Sequence, residues 1–224
     1  MDAVIKVGGS LVAEPSQLIN LCTNLSKLSR KHKIVIVPGG GRFADVVQDF
    51  DESFNLSSII SHRMAILGMD QFGMLLSQIT PNSVATYLLN DTKQLSETSV
   101  IPIFLPSRLM FRENPLENSW DVTSDSIAAY IANRLKVAKL LLITDVDGIF
   151  TENPRRKNSM LIEQISAKEL SKFSNRTSVD KFLAKLLLEI PINCYVINGK
   201  YPDRVKAVLE KKHTICTFIS TKAE

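Results

Sequence analysis

Lys6 lies two residues before the run Gly8-Gly9-Ser10, and the run Gly39-Gly40-Gly41 leads straight into Arg42. Without a Cβ, successive glycines let backbone N–H groups converge on one concavity and approach an oxygen closely. One such run reads most simply as a tight turn. Here there are two, each after an apolar strand-like segment (Ala3–Val7 and Lys33–Val37) and each with a cation beside it. Together they read as a pair of phosphate cradles. A helix starting just after each would add the positive end of its dipole. Two cradles suit a donor and an acceptor, which is what phosphoryl transfer requires. Neither run fits GxxxxGK[ST] or GxGxxG, the P-loop and dinucleotide patterns. A third strand-end segment, Thr144-Asp145-Val146-Asp147-Gly148-Ile149-Phe150-Thr151, adds two carboxylates and another glycine.

Phosphoryl transfer depends on positioning and charge neutralisation more than on covalent chemistry. An acceptor phosphate or carboxylate is already ionised at neutral pH and needs no general base. No Ser-His-Asp or Cys-His arrangement is evident in the chain. A lysine at each end of the reaction axis would stabilise the charge that grows in flight. Magnesium would bridge the donor phosphates and keep much of its water shell. No all-protein metal cage is therefore expected.

The elements that must position these groups alternate. Strands are expected at Ala3–Val7, Lys33–Val37, Ile101–Leu105, Lys139–Thr144, Ile192–Ile197 and Thr214–Ile219. Helices are expected after Pro15, where Leu18, Leu21, Cys22, Leu25 and Leu28 recur at helical spacing, and over Phe43–Phe50, 57–79, 123–135, 166–173, 179–189 and 202–211. This alternation predicts an α/β fold, a three-layer α/β/α sandwich with a mainly parallel central sheet. Ligands of such sheets bind beyond the carboxyl ends of the strands, where the three loops lie. Residues 1–224 read as one domain, with no repeat and no linker. In the 57–79 helix, Ile59, Ile66, Met69, Phe72, Leu76 and Ile79 form one stripe, and Ile60, Met64, Leu67 and Leu75 a second band beside it. That is more apolar surface than one buried face needs. The second band predicts self-association through this helix.

Composition narrows the class. At 224 residues, 45% hydrophobic and 22% charged, the chain has ordinary globular composition. No apolar run reaches the ~18 residues of a membrane span. A strand-like segment so near Met1 leaves no room for a leader. Cys22, Cys194 and Cys216 are far apart, which suits free thiols in a reducing cytoplasm. A net charge of +4 without a basic run gives no footprint for nucleic acid.

Four segments carry a resemblance: VIKVGGSL (4–11), VPGGGRFAD (37–45), VTSDSIAAYIA (122–132) and LLITDVDGIFT (141–151). In their order and spacing they resemble the amino acid kinase family, which includes aspartate, acetylglutamate, carbamate, uridylate and isopentenyl phosphate kinases. The segments SHRMAILGMDQFG (61–73) and SWDVTSDSIAA (119–129) are similar to an archaeal-type branch of it. A known activity there converts [5-(aminomethyl)furan-3-yl]methyl phosphate to its diphosphate during methanofuran biosynthesis. The resemblance implies an ATP-dependent kinase with Mg²⁺, an N-terminal acceptor part and a C-terminal ATP part.

The same resemblance implies roles. Lys6 matches the lysine at the transferring phosphoryl group, and Asp145 the aspartate that organises catalytic lysines. Gly8, Gly9 and Ser10 match the donor-phosphate loop. Gly39, Gly40 and Gly41 match the acceptor loop, with Arg42 beside them. Thr144, Asp147, Gly148, Phe150, Thr151 and Pro154 fall in the nucleotide region. Asp125 and His62 fall on the acceptor side. Many relatives carry a second lysine in a GGMxxK motif. Here that region departs from the pattern, leaving Lys181 and Lys185 as alternatives and Asp180 as a group that touches the donor or orients a lysine. Arg42 either binds the acceptor phosphate or faces solvent. His62 either binds phosphate or is structural. Trp120 either walls the acceptor pocket or anchors a loop. An amine-bearing acceptor would require an acidic residue in the distal pocket, for which Asp70, Asp121 and Asp125 are candidates. The alternatives in function are another phosphate or carboxylate acceptor (isopentenyl phosphate, UMP, aspartate) and a nucleotide-holding protein without turnover.

Overall fold

The computed structural model describes residues 1–154, 156–173 and 177–221. At its centre lies β1 (Ala3–Val7), all five residues buried. It pairs in parallel with β2 (Ile34–Pro38) on one side and β5 (Lys139–Thr144) on the other. All three are nearly unbroken apolar runs, as strands covered on both faces must be. Outward from β2 follow β4 (Ile101–Phe104) and the edge strand β3 (Ser83–Thr86), both parallel. Outward from β5 follow β9 (Asn193–Asn198), β10 (Thr217–Ser220) and β8 (Gln164–Ser166). Only the β9–β10 pairing is antiparallel in this eight-stranded sheet. A separate two-stranded hairpin, β6 (Ile149–Phe150) with β7 (Leu161–Ile162), stands beyond the end of β5.

Helices cover both faces, giving the expected three layers. Alternation along β1 divides the core. Ala3, Ile5 and Val7 face α1 (Pro15–Leu28) and α9 (Pro202–Leu209). Val4 faces α6 (Ser124–Leu135) and α8 (Lys181–Glu189). Period two puts Lys6 on the side of Val4, under α6. Each fully buried Leu or Ile contributes about 1.5–3 kcal/mol through area removed from water. The rigid floor of the site rests on these two cores.

Some boundaries differ from expectation. The helix expected at Phe43–Phe50 is α2, Gly41–Phe54, closed by Asn55 in the left-handed region. The 57–79 helix is α3, Ser58–Ile79. The helix expected at 166–173 shrinks to α7, Ala167–Leu170, fixed by a capping box between Ser166 and Glu169. The patterns did not predict α4 (Leu89–Ser96), α5 (Ser107–Glu113) or the strands β3, β6, β7 and β8. In α3, Ile66, Met69, Phe72 and Leu76 are buried as expected, whereas Ile59, assigned to the same stripe, is half exposed. No helix among the described residues is long and apolar enough to cross a membrane.

Candidate active site

The two glycine runs touch. The N–H of Gly8 donates to the Ile143 carbonyl and that of Gly39 to the Val7 carbonyl, each at 2.8 Å, so both loops extend the sheet ladder. A Cβ on Gly9 would overlap the backbone nitrogen and Cα of Gly41, and Gly41 itself has φ +55°. A side chain at Gly9 would separate the loops, and one at Gly41 would be strained by its left-handed backbone. The runs expected to hold two different phosphates are therefore one continuous floor. Beyond Gly9 the chain makes a 3₁₀ turn over Gly9–Ala13, and α1 begins only at Pro15. The helix expected directly after a glycine run is found at the second run, where α2 starts at Gly41.

Lys6 lies in β1, two residues before the first glycine run, and is only 8% exposed. Its Nζ lies 2.8 Å from Oδ1 of Asp125 in the first turn of α6. The other oxygen of Asp125 accepts the backbone N–H of Asp180 at 3.1 Å. Asp180 is the N-cap of α8 and accepts the Leu183 N–H at 2.8 Å. The same carboxylate accepts the N–H and hydroxyl of Thr123 (2.9 and 3.0 Å) and of Ser126 (3.0 and 2.6 Å). One side chain thus caps two helices, whose positive ends converge on it. Burial, followed by the charge of Asp125, pushes the Asp180 carboxyl up, and the bonds from Ser126 and Thr123 pull it back only in part.

Several residues with expected roles stand apart from this cluster. The carboxylate holding Lys6 is Asp125, which the resemblance had placed on the acceptor side. Asp145 is exposed at the end of β5 and accepts a hydrogen bond from the Thr144 hydroxyl at 3.2 Å. Lys181 pairs with Asp121 at 3.6 Å, and Lys185 with Glu117 at 3.0 Å while also lying 5.0 Å over the Phe182 ring. These lysines engage the 114–123 loop and do not join Lys6.

An open cavity of about 450 Å³ spreads from the glycine floor toward α2 and α3. Of the residues expected at the phosphates, Gly9, Ser10, Gly40, Gly41, Arg42 and His62 line it, whereas Gly8 and Gly39 do not. Among the described residues Arg42 has no carboxylate partner and is exposed to the cavity. His62 is buried; burial pushes its imidazole down, against a backbone hydrogen bond with Ser119, so it is neutral near pH 7. Trp120 does both things proposed for it. Its indole N–H donates to Asp51 at 2.6 Å, anchoring the loop to α2, and its ring lines the cavity. None of Asp70, Asp121 and Asp125 reaches the cavity wall. Asp70 is buried against the hydroxyl and N–H of Ser107, Asp121 faces Lys181, and Asp125 faces Lys6. The carboxylate on the wall is Asp45. Its place three residues after Arg42, on one face of a helix starting at Gly41, was the signal that pattern reading passed over.

The third loop forms a separate corner. Asp147 accepts Asn198 Nδ2 at 2.9 Å and the Arg204 guanidinium at 2.6 Å. Burial works to raise its carboxyl, but Asn198 and Arg204 outweigh that and hold it below the ordinary carboxylate range. The guanidinium also lies 4.1 Å over the exposed Tyr201 ring. Gly148 packs tightly on Thr217, whose hydroxyl accepts the Ile149 N–H at 2.7 Å. Thr151 joins Met160 through its N–H at 2.9 Å, closing the hairpin that carries Phe150. Pro154 is exposed in the loop beyond. Asn198, Tyr201, Arg204 and Thr217 belong to this corner although no motif announced them.

Comparison with known proteins agrees with this geometry. The chain is 39% identical to the [5-(aminomethyl)furan-3-yl]methyl phosphate kinase of Methanocaldococcus jannaschii over 217 residues, 96% of each chain. It is 29% identical to a uridylate kinase of Pyrococcus abyssi, over 95% of this chain and 97% of the relative. In fold it resembles the uridylate kinase of Archaeoglobus fulgidus (TM-score 0.77, 19% identity, 98% of this chain and 100% of that one). It also resembles the UMP kinase of Bacillus anthracis (TM-score 0.79, 16% identity, 99% and 96%). The model of the amino acid kinase family matches residues 1–198, which include both glycine runs, Lys6, Asp125 and the third loop. The chain belongs to the amino acid kinase family and is a kinase.

Proposed function

We propose that this kinase transfers the γ-phosphoryl group of ATP to the phosphate of [5-(aminomethyl)furan-3-yl]methyl phosphate, giving the diphosphate. The observation that carries the reaction type is the continuous glycine floor with a buried Lys6, paired with Asp125, on the strand that feeds it. Donor and acceptor phosphates laid on Gly8–Ser10 and Gly39–Gly41 meet near that lysine. The acceptor's identity is supported by the 39% identity to the furan phosphate kinase over nearly the whole chain.

In the step, an acceptor phosphate oxygen attacks the γ-phosphorus, a new P–O–P linkage forms, and the bond to the β–γ bridging oxygen breaks. ADP leaves with that electron pair. Both reacting oxygens are anionic at neutral pH, so no proton moves. Lys6 neutralises charge on the phosphoryl group in flight, and Asp125 fixes where its ammonium stands. Arg42 donates to the acceptor phosphate, and neutral His62, whose ring N–H is held by the Ser119 backbone, shapes the wall beside it. Asp147, Gly148, Phe150, Thr151 and Pro154, with Arg204 and Tyr201, surround the nucleoside. Mg²⁺ would neutralise the donor phosphates. The exposed Asp145 carboxylate suits its water shell, and no cluster of three metal-ligating side chains occurs among the described residues.

A coupled ADP-release assay over a panel of acceptors tests this reading. Turnover is expected with the furan phosphate and not with isopentenyl phosphate, UMP, aspartate or acetylglutamate. Turnover with another acceptor would keep the kinase and replace the substrate. ATP binding without any turnover would favour a nucleotide-holding protein.

Self-association belongs to the same reading. Phe43, Phe50 and Phe54 on α2, and Ile59, Leu67 and Met74 on α3, are each 40% exposed or more. Exposed apolar side chains on two packed helices suit a surface between copies of the chain. Sedimentation is expected to show a homo-oligomer. A clean monomer at micromolar concentration would contradict it.

A further inference from the structure

The cavity wall contributed by α2 carries opposite charges three residues apart. Arg42 and Asp45 both line it. They do not pair with each other, and among the described residues neither has another ionic or hydrogen-bonding partner. Three carboxylates of the neighbouring segments are engaged. Asp51 holds Trp120, Asp125 holds Lys6, and Asp180 caps α6 and α8. Asp45 is thus the carboxylate left to a ligand, while Arg42 stands beside the glycine floor where an anion belongs.

We infer that Asp45 is the specificity-determining residue that selects an acceptor bearing a cationic amine; this rests on the kinase reading above. Side chains three apart on a helix have their Cβ atoms about 5–6 Å apart. The ligand's anion and cation are therefore separated by one short spacer. The same cavity is lined by apolar groups as well, Ile66 and Met69 from α3, Ile127 from α6 and the Trp120 ring. A flat, small ring carrying a phosphate arm and an ammonium arm fits these demands. A uracil nucleotide offers Asp45 no cation and leaves its carboxylate facing a neutral or anionic group. The same residue therefore attracts one acceptor and rejects the other.

Steady-state kinetics of wild type and Asp45→Asn tests the inference with two acceptors: the aminomethylfuran phosphate and its hydroxymethyl isostere. Wild type is expected to prefer the amine by at least about tenfold in kcat/KM. Asp45→Asn is expected to raise KM for the amine about 10- to 100-fold, the scale of a lost charge-assisted hydrogen bond. It is expected to lower KM for the hydroxymethyl isostere, because an unmatched negative charge is gone. The preference then collapses or inverts. An equal loss with both acceptors, or a preference unchanged by the substitution, would overturn the role of Asp45 while leaving the kinase reading intact. If wild type turned over neither acceptor, the furan phosphate as substrate and this inference would fall together, with the kinase assignment unaffected. Should Asp45→Asn fold poorly, the wild-type preference alone still decides. A hydroxymethyl acceptor used as well as the amine would exclude selection by Asp45.

Discussion

Replacing Lys6 by Met is expected to lower kcat by about 10²–10³-fold or more, with nucleotide affinity largely kept. Removal of one preorganised charge or donor aimed at a transition state typically costs that much. Lys6 has no water to replace it, because it is buried. The substitution has a second consequence that comes from the fold. Asp125 would be left as a buried carboxylate with only the Asp180 N–H. Breaking a buried pair by removing one partner costs about 3–5 kcal/mol. A bare Lys6→Met variant is thus expected to melt earlier as well as to lose turnover. The double variant Lys6→Met/Asp125→Asn separates the two effects, because asparagine can still accept from Asp180 without carrying charge. Thermal denaturation of the double variant should recover most of the lost stability while kcat stays low. Recovery of kcat along with stability would show that Lys6 is structural.

The second large effect is expected at Asp180. Truncation to Ala removes the acceptor for the Thr123 and Ser126 N–H and hydroxyl groups and for the Leu183 N–H. Each lost N-cap costs typically about 1 kcal/mol, and the stranded donors add to it. Loss of about 2–4 kcal/mol is expected, read from chemical denaturation. Because α6 carries Asp125, and α8 supplies the N–H that orients it, Lys6 should also lose its register. A fall in kcat of about 10–10²-fold follows from misplacement of that size, with KM for ATP changing less. Asp180→Asn distinguishes geometry from charge. Burial and the neighbouring Asp125 hold the wild-type carboxyl above its ordinary value of 3.8. The fold therefore favours the protonated form. That contribution is full below the unfolded value and is lost as pH rises through the folded one. The Asn variant should lack this acid-side slope in stability. An Ala variant as stable and as active as wild type would contradict the double-capping role.

How far the sequence carried the fold depended on burial. The central strands β1 and β5 were legible to the residue because continuous apolar runs have few other readings. The edge strand β3 was not: its four residues, Ser83–Thr86, are mostly partly exposed and show no run. The short helices α4 and α5 hold too few turns to display a period. The glycine runs declared themselves, but their contact at Gly9 and Gly41 arises only when β1 and β2 lie side by side. The Lys6–Asp125 pair and the double cap at Asp180 join segments far apart in the chain, and no spacing rule connects them. Asp45 was overlooked for a local reason. The helix expected at Phe43–Phe50 contained Asp45 but not Arg42, so the two were not read as one face; the observed helix starts at Gly41. The corner around the third loop was half visible. Asp147 and Gly148 stand in a recognisable turn, whereas Asn198 and Arg204 reach it from β9 and α9.

The most direct test of the central claim is phosphorus NMR of the product mixture from ATP, Mg²⁺ and [5-(aminomethyl)furan-3-yl]methyl phosphate. The account predicts equal amounts of ADP and of a furan diphosphate showing two coupled phosphorus resonances, formed by wild type and not by the Lys6→Met/Asp125→Asn variant. Inorganic phosphate without any diphosphate, or an unaltered monoester beside bound ATP, would contradict it.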